Sequence, residues 1–156
     1  MAGRTEKIIA TNKKAYHDYF IDETFEAGIE LTGTEVKSLR QNKATLRDAF
    51  ALIRRGEAWL HHVHISAYSH GNRENVDPDR VRKLLLHKKE IRYLIGKTAE
   101  KGATIVPLKI YFSARNLVKV ELGLARGKKL HDKRQSIAER DHKRDVQREL
   151  RERQKG

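Results

Sequence analysis

"ATIVPLKIYFSARNLVKVELGLARG", residues 103–127, alternates apolar and other side chains twice over. Leu108, Ile110 and Phe112 recur at every second position in the first half. Val118, Val120, Leu122 and Leu124 do so in the second, with residues 113–116 as a polar break between them. A period of two marks a strand with one buried face, and a break this short joins antiparallel neighbours. The stretch predicts a closing β-hairpin. Pro107 cannot donate to a ladder, so its place is an edge or a bulge.

The same period appears upstream. In "YFIDETFEAGIEL", residues 19–31, Phe25, Ala27, Ile29 and Leu31 alternate with Glu26 and Glu30, which reads as the first strand. Thr32 with Glu35 three positions on is a capping box opening a short helix, with Val36 and Leu39 on one face. "FALIRRGEAWLHHVHI", residues 50–65, is two apolar runs around Arg55 and Gly56, with bulk from Trp59, Val63 and Ile65: a second hairpin. Asp77 before Pro78 reads as a cap and a first-turn proline, and Val81, Leu84 and Leu85 extend the helical reading. Helix continues or restarts where Ile91, Leu94, Ile95 and Thr98 share a face, with Gly96 as a break and Gly102 as a stop, giving two helical pieces. Short strands in succession with few helices make this chain mainly β: a small OB-like antiparallel β-barrel, residues 1–125, with added α-helices.

Charge dictates the partner. Of 156 residues, 34 are Lys or Arg and 21 are Asp or Glu, a formal net charge of +13. So large an excess on one small domain suits a polyanion whose counterions are released on binding, and nucleic acid leads over acidic proteins and membrane surfaces. Cysteine is absent, which removes disulfides, thiolate zinc sites and thiol nucleophiles. No window approaches the roughly 18 apolar residues of a membrane span, and the N-terminus has no apolar leader core, so the expected location is the cytoplasm.

Residues 126–156 form a basic C-terminal tail whose only aliphatic residues larger than alanine are Leu130, Ile137, Val146 and Leu150, too few for a core. Ser136 with Glu139, Glu139 with Lys143 and Glu149 with Arg153 are helix signals. Each acid-first pair is worth only about 0.2 to 0.5 kcal/mol, so the expectation is disorder in isolation and helix on a partner. At its start Gly127, Lys128 and Lys129, then His131, Asp132, Lys133 and Arg134, mix point cations, a planar guanidinium and a ring able to stack on a base.

Catalytic patterns are weak. His62 and His64, two apart in "HHVH", would share one strand face, but no third metal ligand is evident. No serine sits in a nucleophile elbow, and no glycine loop with its lysine cradles phosphate. A chelator-sensitive hydrolase using the histidines is the poorest alternative. A general ribosomal or cold-shock-like RNA binder with a nonspecific basic anchor is a better one.

Five separated blocks carry a resemblance: "NKKAYHDYFIDETFEAGIELTGTEVKSLR" from Asn12, "DPDRVRKLLLHKKEI" from Asp77, "VPLKIYF" from Val106, "VKVELGLARGKK" from Val118, and "HDKR" from His131. In this order they resemble the SmpB family of bacterial SsrA-binding proteins, from about residue 8 into the tail. The resemblance implies an OB-like barrel with added helices, no enzymatic activity and no cofactor or metal. It implies binding to the tRNA-like domain of transfer-messenger RNA (tmRNA), delivery to stalled bacterial ribosomes, and indirect links through that RNA to elongation factor Tu and alanyl-tRNA synthetase. It places Asn12, Glu26, Leu85 and Lys119 at the RNA, with Arg40 as a further basic candidate. From position alone, Leu85 reads as a core leucine. The tail, by the same likeness, folds as a helix in the empty message channel of the small subunit, with Gly127 to Arg134 against ribosomal RNA near the decoding centre.

Overall fold

The computed structural model describes residues 6–68 and 76–128. The elements run β1 (Lys7–Thr11), α1 (Lys13–Asp18), β2 (Tyr19–Ile29), α2 (Gly33–Arg40), β3 (Ala44–Thr45), β4 (Phe50–Arg54), β5 (Glu57–His61), β6 (His64–Ile65), β7 (Arg82–Leu85), α3 (Lys88–Thr98), β8 (Ala103–Phe112) and β9 (Val118–Gly127). Seven strands form one antiparallel sheet in the order β1-β8-β4-β5-β7-β2-β9, and a β8–β9 pairing bends it into a partly closed barrel. β3 and β6 form a separate two-stranded ribbon.

The opening hairpin forms as its alternation predicts. β8 and β9 pair from Ala103↔Arg126 to Phe112↔Val118, and Val120, Leu122 and Leu124 point into the main core with Val118 packed at its margin. The register shifts between Pro107 and Lys109, so the proline sits at a bulge. That bulge corrects one expectation. Leu108 does not share a face with Ile110 and Phe112; the extra residue turns it outward, into a second cluster with Ala15, Val106 and Ala125. One strand thereby serves two cores.

Other elements follow local chemistry. Thr32 and Glu35 close the capping box on α2. Arg55 and Gly56 take φ of 53° and 73° in the β4–β5 turn, the left-handed pair that matches strand twist. The strand read as first is in fact second, because β1 and α1 precede it. Asp77 and Pro78 do not open a helix. Asp77 instead accepts from the Asp79 amide through its side chain (2.9 Å), making a local turn, and residues 82–85 form β7 between β5 and β2. Helix is confined to one piece: α3 runs through Gly96 without breaking, burying Ile91 and Leu94 while Ile95 faces out.

β7 carries the reason that its sequence misleads. Arg82 is fully buried, and its side chain donates to the carbonyls of Val63, Pro78 and Arg80 and, through Nε, to Glu35 Oε2 at 2.6 Å. Arg80 donates to the same carboxylate, with Nη2 2.5 Å from Oε1, and the Thr32 amide adds a further donor. A carboxylate from α2 thus ties down two arginines from the segment entering β7. Burial pushes the Glu35 carboxyl up, but the hydrogen bonds from Arg80, Thr32 and Arg82 outweigh it and hold the group below its ordinary range.

Candidate nucleic-acid interface

Residues in register on adjacent strands share a face of the sheet. Gly28 on β2 pairs with Leu85 on β7 and with Lys119 on β9, and Lys119 pairs in turn with Tyr111 on β8. The four make one row across the outside of the barrel, since the residues flanking Lys119 and Tyr111 point into the core. In the next row Glu26 pairs with Glu121, and Glu121 with Lys109.

Leu85 is 48% exposed, so it is a surface leucine and not the core residue its position alone implied. It leans on Gly28, where an added Cβ would come within 3.2 Å of Leu85 Cβ; glycine lets the leucine lie against bare backbone. The Tyr111 hydroxyl donates to Glu26 Oε2 at 2.7 Å, and the Lys109 ammonium sits 5.0 Å over the Tyr111 ring. Burial, then the hydrogen bond to Glu26, pushes the Tyr111 phenol well above its ordinary range, so it stays a donor at neutral pH. The two rows together present an apolar edge (Leu85), a cation (Lys119) and a fixed acceptor (Glu26), a combination suited to base edges, ribose hydroxyls and phosphate together. Tyr111 and Lys109 were not among the sequence candidates; their signal was a lysine and a tyrosine in the outward phase of "LKIYF".

The remaining candidates lie elsewhere. Asn12 is 2% exposed, with Nδ2 donating to the carbonyls of Leu46 (3.0 Å) and Pro107 (2.9 Å) and Oδ1 accepting from the Ala15 amide at the start of α1. It pins α1 to the barrel and does not present its side chain on the surface. Arg40, at the end of α2, places its guanidinium 5.1 Å over the Phe112 ring. His62 and His64 do not share a strand face: β5 ends at His61, His62 takes a φ of 63°, and His64 begins β6 with Nδ1 2.9 Å from Asp79. Among the described residues no three His, Asp or Glu side chains are placed to hold a metal ion.

Of the tail candidates, Gly127 is the last residue of β9, paired with Tyr19, and Lys128 follows it. Arg126 is likewise a strand residue, held to Asp22 at 2.9 Å. Lys129, His131, Asp132, Lys133 and Arg134 lie outside the described residues.

The family model for SmpB protein matches residues 9–152. The chain belongs to the SmpB family. Within it, this SmpB chain is 61% identical over 150 residues to the SsrA-binding protein of Geobacter sulfurreducens, spanning 96% of this chain and 97% of that one. It is 56% identical to the SsrA-binding protein of Moorella thermoacetica, covering 98% and 99%. A chain in the solved structure "tmRNA-SmpB: a journey to the center of the bacterial ribosome" is 56% identical, with a TM-score of 0.66 over 76% of this chain and 83% of that chain. No helix among the described residues is long and apolar enough to cross a membrane.

Proposed function

We propose that this chain binds tmRNA, the SsrA RNA, and acts with it in trans-translation on the bacterial ribosome. The outer face of β7, β2 and β9 holds the tRNA-like domain. The observation that carries this is the row Leu85–Gly28–Lys119 with Glu26 beside it, drawn from three strands onto one face of a chain whose relatives are SsrA-binding proteins. Lys119 meets phosphate, and Glu26 accepts from base amino groups or ribose hydroxyls. Leu85 packs on a base or sugar. Asn12 acts indirectly, by fixing α1 against β8, and Arg40 is a peripheral cation.

The protein is a binding factor without catalytic activity, and it works in the cytoplasm beside the ribosome. Elongation factor Tu and alanyl-tRNA synthetase reach it only through the RNA. The barrel continues through Gly127 in β9, so the functional tail begins at Lys128, two residues beyond the boundary drawn from composition. It enters the vacant message channel of the small subunit, where Lys128, Lys129, His131, Lys133 and Arg134 contact ribosomal RNA near the decoding centre.

The test is a salt-titrated binding assay with the tRNA-like domain and a plain hairpin. Wild type should prefer the tRNA-like domain, and Lys119→Ala should weaken that binding and lower the salt slope by about 1. Equal binding to both RNAs would favour the general RNA binder instead. Truncation after Lys128 should spare this binding, because every described core residue precedes it, and abolish tagging of stalled chains.

A further inference from the structure

Trp59 is the only tryptophan in the chain, and neither core cluster contains it. It stands in β5 between Ala58 and Leu60, which are 1% and 0% exposed, so alternation turns it to the outer face of the barrel, where it is half-buried. Its register neighbours are Leu52 on β4 and Lys83 on β7. Leu52 is 36% exposed, and Leu85, two residues beyond Lys83 on the same face, is the exposed leucine of the row at Lys119. Leu85 stands diagonal to Trp59, a Cα spacing of about 7 to 8 Å that lies within reach of an indole. Leu52, Trp59 and Leu85 thus extend the face of β7, β2 and β9 across β5 to β4.

Charge and size define what this extension takes. Among the described residues the indole makes no ring contact, cation contact or hydrogen bond. Lys83, the cation of the row, is compensated by Glu57 at 3.3 Å. The extension therefore adds stacking area without adding free charge, which suits a base and not a phosphate. Three side chains fall far short of the roughly 800 Å² that each partner buries in a stable protein interface, whereas a single base matches them.

We propose that Trp59 stacks an unpaired base of the tRNA-like domain, with Leu52 and Leu85 flanking it. The inference rests on the RNA-binding reading above and deepens it: Lys119 meets the backbone, and β5 adds a contact that only a splayed-out loop nucleotide can make. Paired stems keep their base faces inside the stack, so this contact discriminates a folded, looped RNA from a plain duplex.

The experiment uses the full-length protein, the isolated tRNA-like domain and a fully paired RNA duplex. Because Trp59 is the sole indole, its fluorescence reports this position alone. The tRNA-like domain should quench it and shield it from acrylamide, and saturating duplex should do neither. Trp59→Leu keeps an apolar side chain and removes the π face. It should weaken binding to the tRNA-like domain about tenfold with an unchanged salt slope, since stacking releases no counterions. Trp59→Phe, with a smaller ring, should recover most of that loss. Unaltered fluorescence and acrylamide access on binding the tRNA-like domain, equal quenching by the duplex, wild-type affinity of Trp59→Leu, or failure of Trp59→Phe to recover it would each overturn the site. Loss of ribosome binding by Trp59→Leu with affinity for the tRNA-like domain intact would overturn it too, by giving the surface to another partner. Lys119→Ala runs in parallel. If it leaves the tRNA-like domain bound as before, the broader reading of the face fails, whatever Trp59 does; if it weakens binding and Trp59→Leu does not, the stacking site alone fails.

Discussion

Glu35 and Glu26 are both glutamates held by side-chain donors, and they do opposite work. Glu35 is 4% exposed and accepts from two arginines and the Thr32 amide, which uses up its lone pairs inside the protein. Glu26 is exposed on the outer face of β2, and among the described residues the side chain that donates to it is the Tyr111 hydroxyl. A buried carboxylate saturated with donors holds elements together. An exposed carboxylate oriented by one hydroxyl keeps acceptor capacity for something else, and the difference is visible in hydrogen-bond accounting alone.

The comparison breaks if the two respond alike to truncation. Glu35→Ala should cost about 3 to 5 kcal/mol, because it strands the buried Arg82 guanidinium without its counter-charge. Denaturant unfolding measures that loss. Glu26→Ala should stay within about 0.5 kcal/mol by the same measurement while weakening binding to the tRNA-like domain, so a large stability loss there would return Glu26 to the architecture.

Acid sharpens the contrast next. Because the fold holds Glu35 below its ordinary value of 4.5, the unfolded chain binds more protons just beneath that pH. Its contribution is therefore complete above about pH 4.5 and is lost as pH falls through the folded value. Glu35→Gln should flatten this limb of stability against pH, as denaturant unfolding at a series of pH values would show. The smallest effect is expected from Tyr111→Phe, which removes the donor that orients Glu26: a few-fold loss of RNA affinity, in keeping with roughly 0.5 to 1.5 kcal/mol for one neutral hydrogen bond. Isothermal titration against the tRNA-like domain reads it directly.

How far the sequence could be read follows the same division. Strands whose inward positions are all apolar, such as β9 with Val120, Leu122 and Leu124, were legible from period alone. β7 was not, because one of its two inward residues is Arg82; a buried charge counts as polar in any pattern until its partner is known, and Glu35 lies 47 positions away. Leu108 was misplaced because a bulge shifts phase without any change in composition. At the candidate site, Lys119 and Glu26 stood in the outward phase where the pattern put them. The exposure of Leu85 depends on its facing Gly28, a register that only the assembled sheet supplies. Asn12 shows the reverse case: a polar residue in a recognisable block whose side chain is wholly consumed by the fold.

The barrel's closure is uneven, and this has a consequence for how the molecule breathes. β2 and β9 pair from Tyr19↔Gly127 to Gly28↔Lys119, whereas β4 meets β8 in the single register pair Ala51↔Ile105. In the ring two strands separate β4 from β2 in either direction, so β4 stands across the barrel from the strand that carries Glu26. Amide hydrogen exchange should therefore run fastest along the β4–β8 seam and slowest along β2 and β9. A barrel that unlatches at the back can flex on a moving ribosome while the strands that grip its RNA stay in register.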